Sequence, residues 1–375
     1  MENKFLFTLI IISLCLPAFI IKTFAQEDFT KKTFKTNKGG KLSVSLAAGD
    51  IHIKTWEKNE VEVLYGEEDD YADVKIFQDG SNITIRSNNF TDFEITVPSV
   101  FNLDLNSSGG DILILDNIKG EIDINTSGGD IKIKDVNGDV RATTAGGDVR
   151  CGNINGNVKF SSSGGDIVVG KVEGECVVST GGGDVVVNNV LKTLTVGTGG
   201  GNVTSGNVGN DVVITTGGGD VSVSNISGNI VVTTGGGNIS GTKINKGGSV
   251  VTGAGDVVLK GLSDGIAVTS GAGNVITEFS TVGSKKSKVI TGYGDITVYI
   301  PDNAKATITA KVRLADMWTD KKEISEYIQS DFKASGEDFN RKKGEYKAVY
   351  NINGGGTEIQ LETTFGQIMI KKLKR

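Results

Sequence analysis

Between residues 130 and 274 the apolar positions recur on a fixed 18-residue period. With Asp184 as position zero, one unit reads Asp-Val-Val-Val-Asn-Asn-Val-Leu-Lys-Thr-Leu-Thr-Val-Gly-Thr-Gly-Gly-Gly. Position one is Val or Ile in every copy, as at Ile131, Val149, Ile167, Val185, Val203, Val221, Ile239, Val257 and Val275. Position six is apolar from Val136 through Val190 to Leu262, and positions ten and twelve are mostly so, as in Leu194 and Val196 or Val212 and Ile214. Alternation at one and three, and again at ten, twelve and fourteen, is the two-residue period of a strand. Each copy therefore predicts two short strands separated by turns, with an apolar anchor at six inside the longer turn. A helix does not fit. No copy carries an i, i+3, i+4, i+7 stripe, and every glycine would cost a helix about 1 kcal/mol.

One unit cannot fold alone. It buries about five side chains at roughly 1.5–3 kcal/mol each, against an ordering cost of about 1–2 kcal/mol for every residue fixed. Stacking removes the deficit, because each coil covers the next and each strand bonds to its counterpart one coil away. The expected fold class is all-β, a parallel β-solenoid (β-helix-like) with 18-residue coils, capped by irregular β-rich N- and C-terminal segments. About ten coils at ~4.8 Å spacing would make a rod near ~50 Å long. A left-handed coil of three hexapeptides would need apolar residues at positions one, seven and thirteen, yet seven and thirteen are mostly Asn, Ser, Gly or Thr. A calcium β-roll of two nonapeptides would need a second glycine-aspartate turn per coil, which is missing.

Outside the repeats the pattern changes. Lys4 in a short charged start, an apolar run from Phe5 to Ile21 and the small-residue site Thr23-Phe24-Ala25 read as a secretory signal over residues 1–25. No later apolar stretch approaches the length of a membrane span. The remaining chain divides into a β-rich N-terminal cap (26–104), the solenoid (105–295) and a C-terminal cap (296–375) with a charged insertion at 319–346. A short helix is expected near Lys321–Ser330. Gln367 lies 72 residues beyond Asp295, four periods, so the tail is expected to resume the stack.

Composition narrows the chemistry. A formal charge of −6 gives no footprint for nucleic acid, and the basic end Lys371, Lys372, Lys374 and Arg375 reads as a solvated tail. With 53 glycines but only 3 prolines, neither collagen nor disorder fits. Cys151 and Cys176, the two cysteines beyond the signal, fall at inward positions of adjacent coils and read as small core residues. The only histidine, His52, lies outside the repeats. No Ser/His/Asp, Cys/His or zinc-spaced cluster is present, so neither catalysis nor a cofactor is expected.

Two ladders run through the units. Asp111, Asp130, Asp148, Asp166, Asp184, Asn202, Asp220, Asn238, Asp256, Asn274 and Asp295 occupy position zero. Adjacent carboxylates about 5 Å apart repel by roughly 1–3 kcal/mol, and from Asp184 onward Asn alternates with Asp. The shared property is an acceptor oxygen, so these residues are expected to close the glycine turn by an Asx-type hydrogen bond rather than to hold calcium. Four residues earlier a Thr/Ser column, from Ser107 and Thr126 to Ser270 and Thr291, points inward as a hydroxyl ladder. At outward positions two and eleven, Val168, Val177, Val186, Val213 and Val231 form a candidate partner or self-association face.

The units Ala48-Gly49-Asp50-Ile51 with Trp56 and Val61-Glu62-Val63 are followed by Ile95-Thr96-Val97-Pro98, Leu103-Asp104-Leu105 and Ser107-Ser108-Gly109-Gly110-Asp111-Ile112. With the recurrent Thr-Gly-Gly-Gly-Asp-Val and the closing Thr-Thr-Phe-Gly-Gln-Ile, this grammar resembles the bacterial putative-adhesin family with β-strand repeats, a family of unknown molecular function. The resemblance covers most of the chain after the signal and implies an exported β-solenoid. It departs at residues 319–346. The expected function is that of an exported, non-catalytic, adhesin-like or scaffold protein that binds an envelope protein, a polysaccharide or a cell surface from the periplasm, the cell surface or the medium. The alternatives are an envelope-stress accessory protein acting through its caps and a polysaccharide-active enzyme with paired carboxylates.

Overall fold

The computed structural model describes residues 29–66, 74–313 and 321–374; the signal expected at 1–25 lies outside them. In the coil that starts at Asp184, Val185–Val190 forms the first strand and Leu194–Thr198 the second. Val185, Val187, Val190, Leu194 and Val196 are buried, while Val186, Asn188, Thr195 and Gly197 alternate outward. The backbone is satisfied between coils: Val185 N–H donates to Asn202 O at 2.8 Å and Leu194 N–H to Asp211 O at 3.0 Å. Position six belongs to the first strand here, and Leu191 N–H beyond it donates to Val172 O at 2.9 Å.

Repeating this coil builds two parallel sheets with the core between them. The first strands run in register, as in Val203↔Val221↔Ile239, and the second strands likewise, as in Leu194↔Val212↔Ile230. The expected class is the observed one, an all-β parallel solenoid. Packing compensates along the stack. Phe160 lies against Ala142 in the register, both buried, so the large ring takes the space that the small residue leaves. Gly241 occupies an inward position, and a Cβ there would meet Leu259 Cδ2 at 3.0 Å and Ile244 Cδ1 at 3.1 Å.

The two ends depart from chain order. Coil Lys41–Trp56 sits between coil Asn82–Pro98 and the coil that starts with Asn102–Ser107. At the other end, Thr357–Phe365 pairs with Ser287–Tyr293 on one side and with Ala306–Arg313 on the other. In the first sheet Ile368–Leu373 likewise separates Ile296–Pro301 from Ile328–Ser330. The last coil in sequence is thus the penultimate coil in space, and the tail rejoins the stack directly on Asp295. Beyond these coils the strands turn antiparallel: Phe29–Lys35 on Glu60–Gly66, Val74–Asp79 on Asn82–Phe90, and Gly336–Asn340 on Glu345–Ile352. The helix expected near Lys321–Ser330 is confined to Lys321–Ser325; Ile328–Ser330 is instead a strand, because it pairs with Ile368–Ile370.

Candidate binding surfaces

The Asp/Asn residues do something other than close their own turns. Each Oδ1 accepts the backbone N–H of the corresponding residue one coil further on: Asp148 N–H to Asp130 at 2.8 Å, Asp184 to Asp166 at 2.8 Å, Asn202 to Asp184 at 2.7 Å and Asp220 to Asn202 at 2.9 Å. The bond couples coils because the turn aims the side chain along the stack. Asp and Asn serve equally, since only an acceptor is needed. The ladder also follows spatial order. Asp50 donates to Asp92, Asp111 to Asp50, and at the far end Gln367 to Asp295, each at 2.8 Å. Asp50 and Asp92 were not legible as rungs by period, although Gly49-Asp50-Ile51 shares the grammar of the repeats.

The Thr/Ser hydroxyls complete the joint. Thr144 Oγ1 donates to Gly129 O at 3.0 Å and accepts from Gly147 N–H at 3.1 Å. One buried hydroxyl thereby ties its own turn to the preceding one. Shorter Asx ladders stabilise the opposite turns, as Asn153 N–H on Asp135 Oδ1 at 2.7 Å and Asn157 N–H on Asp139 Oδ1 at 2.7 Å.

The five valines do not form one face. Val168 and Val186 are neighbours on the first sheet, whereas Val177, Val213 and Val231 lie on the second. Positions two and eleven belong to different strands of a coil, and those strands form opposite sides of the molecule. Val213 and Val231 are direct partners, and Val177, Val213, Val231 and Val251 are exposed.

Toward the N-terminal end of the second sheet the same outward column becomes charged: Asp104, Asp123, Arg141 and Lys159 stand on successive strands, followed by Val177. They line an open trough of about 620 Å³ together with Lys41, Glu121, Asp139, Asn157 and Glu175. Lys41 Nζ reaches Asp104 Oδ2 at 2.8 Å, and Arg141 lies 4.0 Å from Asp123. Partial burial alone would raise the Asp104 carboxyl, but hydrogen bonds from Lys41 and Asn106 and the Lys41 charge outweigh it and hold the group below the usual carboxylate value. Sequence reasoning missed Lys41, since only the out-of-order coil brings it beside Asp104.

Among the described residues no group of three or more His, Cys, Asp or Glu is placed to hold a metal. His52 stands on the first sheet between Glu94 and Leu113 in the register. Cys151 and Cys176 are free and buried. Burial, then the Asp135 carboxylate, then Cys176 push the Cys151 thiol up; burial pushes Cys176 up to about 12. No helix among the described residues is long and apolar enough to cross a membrane.

Residues 39–207 match the family model described as Toastrack DUF4097. Over that stretch the resemblance noted from the repeat grammar is borne out, and it includes the trough. No curated protein matches the chain. Similar solved structures include a putative cell adhesion protein from Clostridium sporogenes, at 10% identity and a TM-score of 0.17 over 93% of this chain and 100% of that one. A putative adhesin from Parabacteroides distasonis is similar at 14% identity and a TM-score of 0.27, over 73% and 98% of the two chains. A putative lipid binding protein from the same organism is similar at 14% identity and a TM-score of 0.23, over 73% and 97%.

Proposed function

We propose that this is an exported, non-catalytic, adhesin-like protein that binds a neutral or zwitterionic polysaccharide of a cell envelope along the polar trough of its second sheet. The observation that carries this reading is the trough itself, in which two carboxylates, Asp104 and Asp123, are followed by two cations, Arg141 and Lys159, on successive strands at ~4.8 Å pitch, with Asn102 and Asn157 beside them. Sugar hydroxyls both donate and accept hydrogen bonds, and Asp104, Asp123, Arg141, Asn157 and Lys159 offer both complements. The ion pairs are exposed, and exposed pairs are worth only about 0–1 kcal/mol each. A ligand hydroxyl can therefore insert between the partners at little cost. The mixture of signs disfavours a polyanion such as nucleic acid, which needs a basic face.

Affinity electrophoresis through gels containing individual envelope polysaccharides tests the proposal. Retardation by at least one polymer is expected, with Arg141→Ala and Asp123→Ala each weakening it by about tenfold, one trough contact at about 1.4 kcal/mol. Unretarded migration through every polymer, or retardation that both variants leave unchanged, would remove the reading. Fractionation with surface protease shaving tests the proposed location.

A further inference from the structure

From Cys176–Thr180 to Ile266–Ser270, six successive strands of the second sheet present an outer face without one charged side chain. Charge returns at both borders: Lys159 precedes Val177 in the register and Lys288 follows Ala267. Val177, Val213, Val231 and Val251 are between 37% and 42% exposed, so this is an open apolar and hydroxyl surface. Its midline falls between Val213 and Val231.

Two positions on the face break its pattern. Gly197 stands in a strand column otherwise filled by Ser179, Thr215 and Thr233. A Cβ at Gly197 would meet nothing within 4 Å, and its φ is not in the left-handed region. The fold therefore does not require glycine there, and glycine in a strand interior weakens the strand. Val251, between Thr233 and Thr269, is the one bulky aliphatic residue of that column. The two lie equally far from the midline, Gly197 one strand before Val213 and Val251 one strand after Val231.

We infer that this face is a self-complementary dimerisation surface, in which a second copy packs sheet on sheet about a two-fold axis running along the strand direction between Val213 and Val231. That operation sets Val213 opposite the partner's Val231 and seats Val251 in the gap over the partner's Gly197, twice per dimer. A two-fold interface must satisfy itself in this way, patch against the same patch. Six strands at ~4.8 Å by five residues at ~3.3 Å give roughly 500 Å² per copy. The total of about 1,000 Å² sits at the lower bound for a specific interface, so the dimer is reversible. Lys159 meets the partner's Lys288 at the rim, and this like-charge contact makes the dimer tighten as salt rises. The inference goes beyond the polysaccharide reading and stands without it.

Sedimentation velocity of the purified protein over a concentration series is the test. The weight-average mass should rise toward twice that of the chain, and at lower concentration in high salt. Gly197→Val fills the gap and should weaken the dimer by more than tenfold while the melting temperature of the monomer stays the same or rises. Val231→Lys should abolish the dimer with an unchanged circular-dichroism spectrum. A Gly197→Cys and Val251→Cys protein should oxidise to a covalent dimer; within one chain the two sites are three strands, ~14 Å, apart and cannot bridge. A monomer at every concentration, or a dimer that Gly197→Val leaves unchanged, overturns the inference.

Discussion

Adjacent glycines of one turn should respond to the same substitution in opposite directions. A Cβ on Gly183 would lie 2.2 Å from Gly165 O and 2.5 Å from Gly165 C, whereas a Cβ on Gly182 would meet nothing within 4 Å. Neither residue has a left-handed φ, so backbone strain does not enter. To accommodate Gly183→Ala the two turns must separate by about 1 Å, taking bonds near 2.8 Å past the limit of a hydrogen bond. The bonds at risk are Asp184 N–H to Asp166 Oδ1 at 2.8 Å, Thr180 Oγ1 to Gly165 O at 2.8 Å and Ile167 N–H to Asp184 O at 2.9 Å. Losing two or three at about 0.5–1.5 kcal/mol each gives a destabilisation of about 1–4.5 kcal/mol. Gly182→Ala instead restricts only the unfolded chain and should stabilise by about 0.4–1 kcal/mol. Ala254 and Ala272 already occupy the middle position in later coils, whereas the final glycine is kept in every one from Gly110 to Gly294. Guanidinium denaturation followed by circular dichroism orders the midpoints. If Gly183→Ala unfolds at or above the wild-type midpoint, the close approach of successive turns is not what fixes that glycine.

Three further outcomes follow from buried or paired groups. Thr277 is fully buried and its hydroxyl has no partner, between Leu259 and Val298 in the register; Thr277→Val should raise stability by about 1–2 kcal/mol in the same denaturation assay. Native Cys151 and Cys176 should not react with a disulfide reagent at pH 8, because burial raises both thiols, and both should titrate once the chain is unfolded. Asp104 and Asp264 are held below their ordinary values: in Asp264, burial is outweighed by the backbone N–H groups of Lys285 and Gly265 and by the Lys285 charge. A lowered folded value means the stabilisation is complete above the unfolded pKa of about 3.9 and is lost as pH falls through the folded value. Unfolding midpoints should therefore drop below about pH 4, and less steeply in Asp104→Asn.

Periodicity carried most of the fold and little of the surfaces. The inward columns were legible because burial repeats every coil. The direction of the Asx bond was not, since an acceptor one coil away and one within the turn demand the same residue types. Opposite placement of Val168 and Val177 follows from assigning positions two and eleven to separate strands, a step that a one-dimensional pattern does not force. Asp92 escaped because Thr91-Asp92-Phe93 lacks the preceding glycine. Lys41 escaped because its partner lies 63 residues away across a coil inserted out of order. Gln367 was legible by counting periods, yet counting could not show that it rests directly on Asp295, with Ala306–Arg313 and Ile328–Ser330 stacked beyond it.

Those displaced terminal coils explain how a periodic stack stops growing. A solenoid that ended on one of its own coils would offer another molecule a complete parallel edge with the right turn grammar. Among the described residues the outermost strands are of another kind. In the first sheet the N-terminal edge is Phe29–Lys35, which carries Lys31, Lys32 and Lys35, and the C-terminal edge, Ile328–Ser330, is three residues long. In the second sheet the edges are Val74–Asp79, antiparallel to its neighbour, and Gly336–Asn340, which carries Glu337 and Asp338. Charge and brevity are each known to deter edge pairing. With growth along the axis discouraged at both ends, the long flat sides are the surfaces left for recognition, and on the second sheet the polar trough and the uncharged valine face adjoin at Val177.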